Sequence, residues 1–169
     1  MNRQPPRVKR EEKARDIGRA GRHLTPAADN QEKQYRAIFE YTGNATILIA
    51  EDTTILLANS KFAALTGYTR EELEGKMSWT AFIVPEDLGR MKEYHARRRI
   101  SQDAAPNIYE FRLRTRGGDV RYILLTVGMI PGTTQSIASC MDITDSKKTV
   151  EALTRNEEKY RSILESIEE

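Results

Sequence analysis

The chain carries its most specific pattern at Asn59-Ser60-Lys61-Phe62-Ala63-Ala64-Leu65-Thr66-Gly67-Tyr68-Thr69-Arg70-Glu71-Glu72-Leu73-Glu74-Gly75-Lys76. Asn59 is a residue type that accepts a backbone N–H at a helix start, and Gly67 adopts the left-handed backbone that ends a helix. Thr69 and Glu72 form the pattern of a capping box for a second helix, which ends by Gly75. The stretch therefore predicts two very short helices joined by a tight glycine corner.

The residues before this stretch predict a helix followed by a hairpin. Apolar side chains recur at helical spacing over residues 31–41, and Gly43 then stops the helix. Residues 46–49 and 55–57 are apolar and partly β-branched, and the polar residues 51–54 separate them. We expect an entry helix and then two short antiparallel strands.

The residues after this stretch predict one longer helix and three strands. Pro85 suits the first position of a helix that runs to about residue 100. Residues 109–114 alternate with period two, and a glycine-rich turn leads into a returning strand over residues 120–127. Residues 136–142 have the composition of a last strand. The predicted order is thus two strands, several helices and three strands.

With this order of elements, the chain resembles a PAS domain of the S-box type, the sensory module of prokaryotic signalling proteins. The resemblance covers about residues 32–148, and its motifs lie at residues 59–75, 118–122 and 141–145. One departure is Gly117-Gly118, where the family usually has Asp-Gly. The resemblance implies an α+β, PAS-like fold: a five-stranded antiparallel sheet with flanking short helices, a ligand pocket between them, and linker helices at both ends.

The resemblance also implies which elements enclose the pocket, and those elements supply the candidate site residues. The same side chains must build the core of a domain of about 110 residues, so a ligand-free member would show the same pattern. The apolar candidates are Phe62, Leu65, Leu73, Trp79, Phe82, Ile83, Met91, Leu125 and Val127. The polar candidates are Asn59, Tyr94, Glu110, Arg112 and Ser139.

The cofactor is unknown from the sequence, and the absence of any cofactor is one alternative. Haem-binding members of the family ligate iron with a histidine of the helix that corresponds to the Pro85 helix. His95 lies about one turn later than theirs and is interpreted as a surface residue, which argues against haem.

Members that form a flavin–thiol adduct carry a cysteine where this chain has residues 77–80, Met-Ser-Trp-Thr. The only cysteine, Cys140, is interpreted as a buried filler on the last strand, and no metal site is predicted.

Beyond the domain, residues 149–169 predict an exit helix with a coiled-coil seam. The seam is formed by Val150, Leu153, Tyr160, Leu164 and Ile167, with Glu157 completing the heptad series. A helix that packs on its own domain is the alternative, because fewer than four heptads are present. We expect a homodimer, with transmission of the signal through Asp142, Ile143, Thr144 and Asp145.

An internal repeat makes the exit helix also the candidate start of a second PAS-like module. Residues 35–40, Tyr-Arg-Ala-Ile-Phe-Glu, return as residues 160–165, Tyr-Arg-Ser-Ile-Leu-Glu. Repetition after a whole domain length is typical of tandem modules. Chance similarity between two amphipathic helices is the alternative.

Charge and composition set the remaining boundaries. Residues 1–30 hold eight basic and four acidic side chains, a balance of +4, and predict a basic, disordered leader rather than a nucleic-acid interface. The whole chain is 38% apolar and 31% charged, which is typical of a soluble protein. It has neither a membrane-spanning apolar run nor a signal-peptide pattern, so the sequence predicts a cytoplasmic location.

The sequence favours a regulatory role over an enzymatic one. No Gly-x-Ser-x-Gly, His-Glu-x-x-His or phosphate-binding loop pattern occurs, so no catalytic residue is predicted. The favoured hypothesis is an input module that binds a small molecule or a partner and acts, through its terminal helices, on an output domain outside this chain. Such an output would be a histidine kinase of a two-component system or a cyclic-dinucleotide enzyme, such as a diguanylate cyclase. The alternative is a ligand-free module for dimerisation and protein interaction.

Overall fold

The computed structural model describes residues 26–167, which fall into two compact units divided between Ala37 and Ile38. The first unit consists, within the described residues, of most of helix α1 (Pro26–Glu40), whose last turn belongs to the second unit. Helix α1 begins at Pro26 and not at residue 31 as predicted, with proline in its first turn and an acidic residue there that favours the helix dipole. Residues 1–25 of the predicted leader lie outside the described residues.

The second unit contains the predicted five-stranded antiparallel sheet. Neighbouring strands follow the order β2-β1-β5-β4-β3, so the last strand lies in the centre and pairs with the first and the fourth. The hairpin predicted for the first two strands and the hairpin of the third and fourth strands are both present. The strands are β1 (Ala45–Ile49), β2 (Ile55–Ala58), β3 (Ile108–Arg114), β4 (Val120–Met129) and β5 (Ser136–Asp142).

Short helices connect the second strand to the third. Asn59 accepts the Phe62 N–H at 3.0 Å, Gly67 has φ of 80°, and Thr69 and Glu72 form the reciprocal capping box. Each cap predicted from the sequence is therefore present. The helices are α2 (Ser60–Thr66), α3 (Arg70–Leu73), a 3-10 turn (Trp79–Phe82), α4 (Pro85–Ile100) and a second 3-10 turn (Gln102–Ala104).

The core lies between one face of the sheet and these helices. Every second residue of the central strands points inward, so Ile123, Leu125 and Val127 of β4 are buried. From the helical side, Phe62 and Phe82 meet edge to face with ring centroids 5.8 Å apart. Burying each such side chain contributes on the order of 2 kcal/mol, which holds the helical layer against the sheet.

Helix α5 (Thr144–Ile167) leaves the domain from the end of β5. It begins five residues before the predicted boundary of 149, because Asp142 Oδ1 accepts the Thr144 N–H at 2.9 Å and supports the first turn. All of its side chains from residue 148 onward are exposed. Among the described residues, no helix combines the length and the apolar character needed to cross a membrane.

Candidate ligand-binding cavity

A cavity lies in the core between the inner face of the sheet and the helices α2 and α4. The centres of water molecules can occupy about 50 Å³ of its interior. This volume holds a few waters or a ligand of a few heavy atoms. Seven of the residues predicted from the sequence line it. They are Phe62, Trp79, Phe82, Ile83, Met91, Leu125 and Val127.

The other seven predicted pocket residues do not line the cavity. Asn59 is fully buried, and its amide is occupied by the backbone of Thr46, Phe62 and Asn44 at 2.9 to 3.0 Å. Leu73 and Leu65 pack in the core away from the cavity wall. The structure places these three residues in capping and packing contacts of the core, and their role as ligand contacts stays a prediction.

The remaining four misplaced candidates have partners elsewhere. Tyr94 packs its ring against that of the lining residue Tyr109, with ring centroids 5.1 Å apart, and does not itself line the cavity. Glu110 and Arg112 lie on the outer face of β3, where Glu110 pairs with Lys147 at 2.6 Å and Arg112 with Asp87 at 3.1 Å. The fourth, Ser139, is on the outer face of β5.

The register of the sheet explains these errors. Tyr109, Leu125 and Cys140 lie opposite one another on β3, β4 and β5 and share the inner face. Since side chains alternate along a strand, an inward Leu125 requires Glu110 and Ser139 to point outward. The sequence prediction placed Leu125, Glu110 and Ser139 together in the pocket, although the strand pairing puts Leu125 on one face of the sheet and the other two on the opposite face.

Ten lining residues were missed by the sequence prediction. Most follow from the same alternation along the strands, and two follow from helix α4, where residues 91, 95 and 98 share one face at spacings of four and three. Because Met91 was predicted to line the cavity, the same helical spacing predicts that His95 and Arg98 line it as well. The ten residues are Ile47, Ile49, His95, Arg98, Tyr109, Phe111, Leu113, Ser136, Ala138 and Cys140.

Arg98 is the one arginine or lysine on the cavity wall within the described part of the chain, and it is only 3% exposed. One terminal nitrogen, Nη2, donates to the carbonyl oxygen of Pro106, whereas the buried Nε has no hydrogen-bond partner. Among residues 38–167, no Asp or Glu oxygen lies within 4 Å of this guanidinium. Arg98 therefore places a positive charge without a carboxylate counter-ion on the wall of a mainly apolar cavity.

Trp79 and His95 lie side by side on the same wall, with ring centroids 5.5 Å apart. Trp79 is 6% exposed, and its indole Nε1 is buried without an acceptor. His95 is half-buried, with Nε2 at 2.9 Å from the Glu51 carbonyl oxygen, so its interpretation as a surface residue was wrong. Burial lowers the pKa of His95, and the charges of Arg99 and Arg98 lower it further.

Two other titratable groups on the wall are held in their neutral forms. Burial raises the pKa of the Tyr109 hydroxyl, and nearby Arg98 and Arg90 offset only part of that effect. Burial alone raises the pKa of the Cys140 thiol to about 12. Cys140 is thus the buried residue that the sequence analysis expects, and its thiolate is not populated near neutral pH. Within the described residues, no group of three or more His, Cys, Asp or Glu side chains is arranged to hold a metal ion.

A hydrogen-bonded junction joins β4, β5 and the start of α5 at the predicted transmission residues. The Thr144 hydroxyl donates to Asp142 Oδ1 at 2.5 Å and accepts the Tyr122 N–H at 2.9 Å. The Ile143 N–H donates to the Tyr122 carbonyl oxygen at 2.9 Å. The next residue, Asp145, lies in the exposed first turn of α5. The junction therefore fixes the first turn of the exit helix to a strand that lines the cavity.

Comparison with known proteins identifies the family. The family model described as the PAS fold matches residues 33–143, more than half of the chain. The chain belongs to the PAS family. This confirms the resemblance inferred from the sequence motifs and the five-stranded fold that it implied.

Relatives of this PAS domain occur in histidine kinases. The cell-division control histidine kinase PdhS of Brucella ovis is 28% identical over 141 residues, and the match covers 76% of this chain but only 13% of that protein. Among solved structures, a domain of a sensory box sensor histidine kinase/response regulator from Geobacter sulfurreducens matches with a TM-score of 0.57 and 24% identity, over 66% of this chain and 94% of that one.

A third relative was solved with a small molecule. The PAS domain of the quorum-sensing receptor RpfR from Cronobacter turicensis, in complex with C12:0, matches with a TM-score of 0.53 and 19% identity. The match covers 61% of this chain and 96% of that one. At this identity the likeness concerns the fold alone.

Proposed function

We propose that this PAS domain is the sensory input module of a histidine kinase, which binds a small molecule in the core cavity and transmits its presence through α5. The observation that carries the proposal is the buried cavity whose wall includes strands β4 and β5, the same strands that hold the start of α5. A ligand that changes the position of these strands would change the first turn of the exit helix.

The choice of output rests on the relatives. The match to PdhS favours a histidine kinase over a cyclic-dinucleotide enzyme, and no catalytic residue is assigned to this chain. Because this chain spans 13% of the length of that relative, the activity of the whole protein and its cytoplasmic location are part of the proposal. The structure of the RpfR PAS domain with C12:0 supports the proposal that this cavity binds a small molecule, because it shows that a domain of the same fold holds a ligand.

The exit helix supplies the second half of the proposed mechanism. Apolar side chains at the seam positions are exposed, with Leu153 at 60% and Leu164 at 64%. A second copy of this chain would cover them in a parallel coiled coil, and the repeat at Tyr160 would make the same helix the entry to a second module. A ligand acts on such a dimer only if it binds two arrangements of the helices unequally.

Native mass spectrometry and an absorption spectrum of the purified protein test the sensory role. We expect a retained mass or, after its removal, a rise in Tm with at least one compound of a metabolite panel, because ligands that bind the folded state stabilise it. Hydrogen–deuterium exchange with that compound should change at residues 142–147. A protein that carries no bound mass and responds to no compound would instead support the alternative of a ligand-free dimerisation module.

A further inference from the structure

We infer that the cavity binds a small monocarboxylate, whose negative charge pairs with Arg98 and whose apolar part lies against the aromatic and aliphatic wall. The inference rests on the proposed function, since it names the class of ligand for the same cavity. It follows from three features of the wall: a charge without a carboxylate partner, unpartnered N–H donors and a small, mainly apolar interior.

The unpaired charge of Arg98 is costly in a protein core. A guanidinium carries a positive charge, and burying a charge without a counter-ion is unfavourable. Its terminal nitrogen Nη2 donates to the carbonyl oxygen of Pro106, which is a neutral group. An anion entering the cavity would recover part of this cost and would gain charge-assisted hydrogen bonds.

Other arginines of the domain show that the fold pairs guanidinium groups elsewhere. The guanidinium of Arg112, which is only partly buried, forms an ion pair with the Asp87 carboxylate at 3.1 Å. Arg116 is more exposed and pairs with Glu72 at 2.9 Å. Arg98 is more deeply buried than either, yet no carboxylate of residues 38–167 reaches it. Arg99, outside the wall, likewise has a buried Nε without a partner, so among the described residues Arg98 is the one such guanidinium that lines the cavity.

Unpartnered donors on the wall match the acceptors of a carboxylate. Trp79 Nε1 and Arg98 Nε are both buried N–H groups without an acceptor, and both residues line the cavity. Leaving such buried donors without an acceptor is unfavourable, because their hydrogen bonds to water are lost and not replaced. A third unpartnered nitrogen, Arg99 Nε, belongs to a residue outside the wall. A carboxylate has two oxygens that accept hydrogen bonds and no donor.

The rest of the wall limits what the carboxylate is attached to. His95, Tyr109 and Ser136 add polar groups to the wall, but most of it, including Phe62 and Leu125, offers no hydrogen bonds, so the remainder of the ligand is mainly apolar. The volume of the cavity restricts that remainder to a few carbon atoms in this conformation. Short-chain monocarboxylates fit both limits, whereas a phosphate would bring several strongly hydrated oxygens to an apolar surface.

Fluorescence of Trp79 provides a direct test, because it is the only tryptophan of the chain and lines the cavity. The full chain is titrated with acetate, propionate and butyrate, and separately with the matching neutral amides, at constant ionic strength. We expect a saturable change with at least one carboxylate and a response to its amide that is weaker by roughly tenfold or more. Equal binding of acid and amide, or a cavity occupied by water that no carboxylate displaces, would overturn the inference.

Two arginine variants localise the binding. Arg98→Met should weaken carboxylate binding by roughly tenfold or more, whereas Arg97→Met should leave it unchanged. Arg97 lies next in the chain on the exposed side of α4, so the control removes the same charge from the same helix. Unchanged binding in Arg98→Met would contradict the assignment. If Arg98→Met does not fold, Arg98→Lys and the comparison of acid with amide in the wild type decide the question.

The outcomes separate this inference from the sensory role itself. If neutral compounds raise Tm and perturb Trp79 while carboxylates do neither, the carboxylate class is wrong and the cavity remains a sensor site. If no compound of either class binds, both the inference and the proposed function fail. Carboxylate binding without any change in exchange at residues 142–147 would support the inference and contradict signal transmission.

Discussion

Asn59 connects three parts of the domain through one buried amide. Its Oδ1 accepts the N–H of Phe62, which starts α2, and the N–H of Thr46 in β1. Its Nδ2 donates to the carbonyl oxygens of Asn44 and Phe39 at 2.9 and 3.3 Å. The sequence predicts the first of these contacts, because an N-cap is local. The others depend on chain segments 13 or more residues away.

We predict that Asn59→Ala destabilises the domain by about 2–4 kcal/mol. The estimate combines loss of the helix cap, about 1 kcal/mol, with about 1–3 kcal/mol for leaving the Thr46 N–H buried and unpaired. Urea denaturation followed by circular dichroism measures the change. The matched control is Asn107→Ala at an exposed position, which should change stability by less than about 0.5 kcal/mol. Equal effects of the two substitutions would contradict this role of Asn59.

We further predict that protonation of His95 destabilises the fold. Burial lowers the pKa of His95, so the unfolded chain binds the proton more readily than the folded one. The contribution of neutral His95 to the free energy of unfolding is therefore fully present above the unfolded pKa of about 6.5. It is lost as pH falls through the lower pKa of the folded state. The groups that act on it are Arg98, Arg99, Asp52 and the Glu51 carbonyl. Thermal unfolding from pH 7.5 downward should therefore show a larger loss of Tm in the wild type than in His95→Gln. Parallel curves would refute the prediction.

The elements differ in how far their own sequence determines them. The short helices α2 and α3 carry both of their end signals within the chain segment, so the sequence predicted them correctly. The strands were predicted as elements, but the face that each presents to the core was wrong for Glu110, Arg112 and Ser139, since it depends on pairing with distant strands. Helix α5 has an exposed apolar stripe, and its partner remains a proposal.

For α5, we predict that Leu153→Lys combined with Leu164→Lys converts a dimer to a monomer. Two lysines at seam positions would place like charges in the packed layer of a coiled coil. Analytical ultracentrifugation over a range of protein concentrations measures the change. The control, Ala152→Lys with Ser162→Lys, adds the same charge at outer heptad positions and should remain dimeric. A wild type that is monomeric at all concentrations would exclude the seam as an interface.

On the scale of the whole molecule, the cavity and the core are one structure. Most of the residues that line the cavity also belong to the hydrophobic core, including Phe62, Ile83 and Cys140. Side chains that stabilise the fold thus also shape the ligand site, as the sequence analysis expects. Buried members of this set, such as Cys140, are reached from solvent only when the domain opens, whereas His95 on the same wall is partly exposed.

We predict that Cys140 reacts with a thiol reagent only at the rate at which the domain opens. It is 4% exposed, and its pKa of about 12 leaves almost no thiolate at neutral pH. Reaction with dithionitrobenzoate should be slow in the native protein and immediate in denaturant. In a Cys140→Ala background, Met141→Cys offers a thiol at the next position, on the outer face and 46% exposed in the parent, and should react at once. Rapid reaction of native Cys140 would show that the cavity is open to solvent.

The sequence by itself determined the family, the order of the elements and the ends of the short helices. These properties depend on contacts between residues a few positions apart, such as the cap at Asn59 and the capping box of Thr69 and Glu72. Apolar residues such as Phe62 and Leu125 were predicted to line the pocket from the resemblance to the family, and the same side chains must supply the core of a domain of this size.

Only the tertiary structure decided which polar groups face the cavity. The faces of Glu110 and Ser139 follow from the strand register, and the burial of Arg98 depends on how α4 lies over the sheet. An exposed and a buried arginine have the same local sequence signal, since the three arginines at positions 97–99 differ only in their direction from the helix axis. The unpaired charge that points to a carboxylate ligand is visible only once the residues around it are placed.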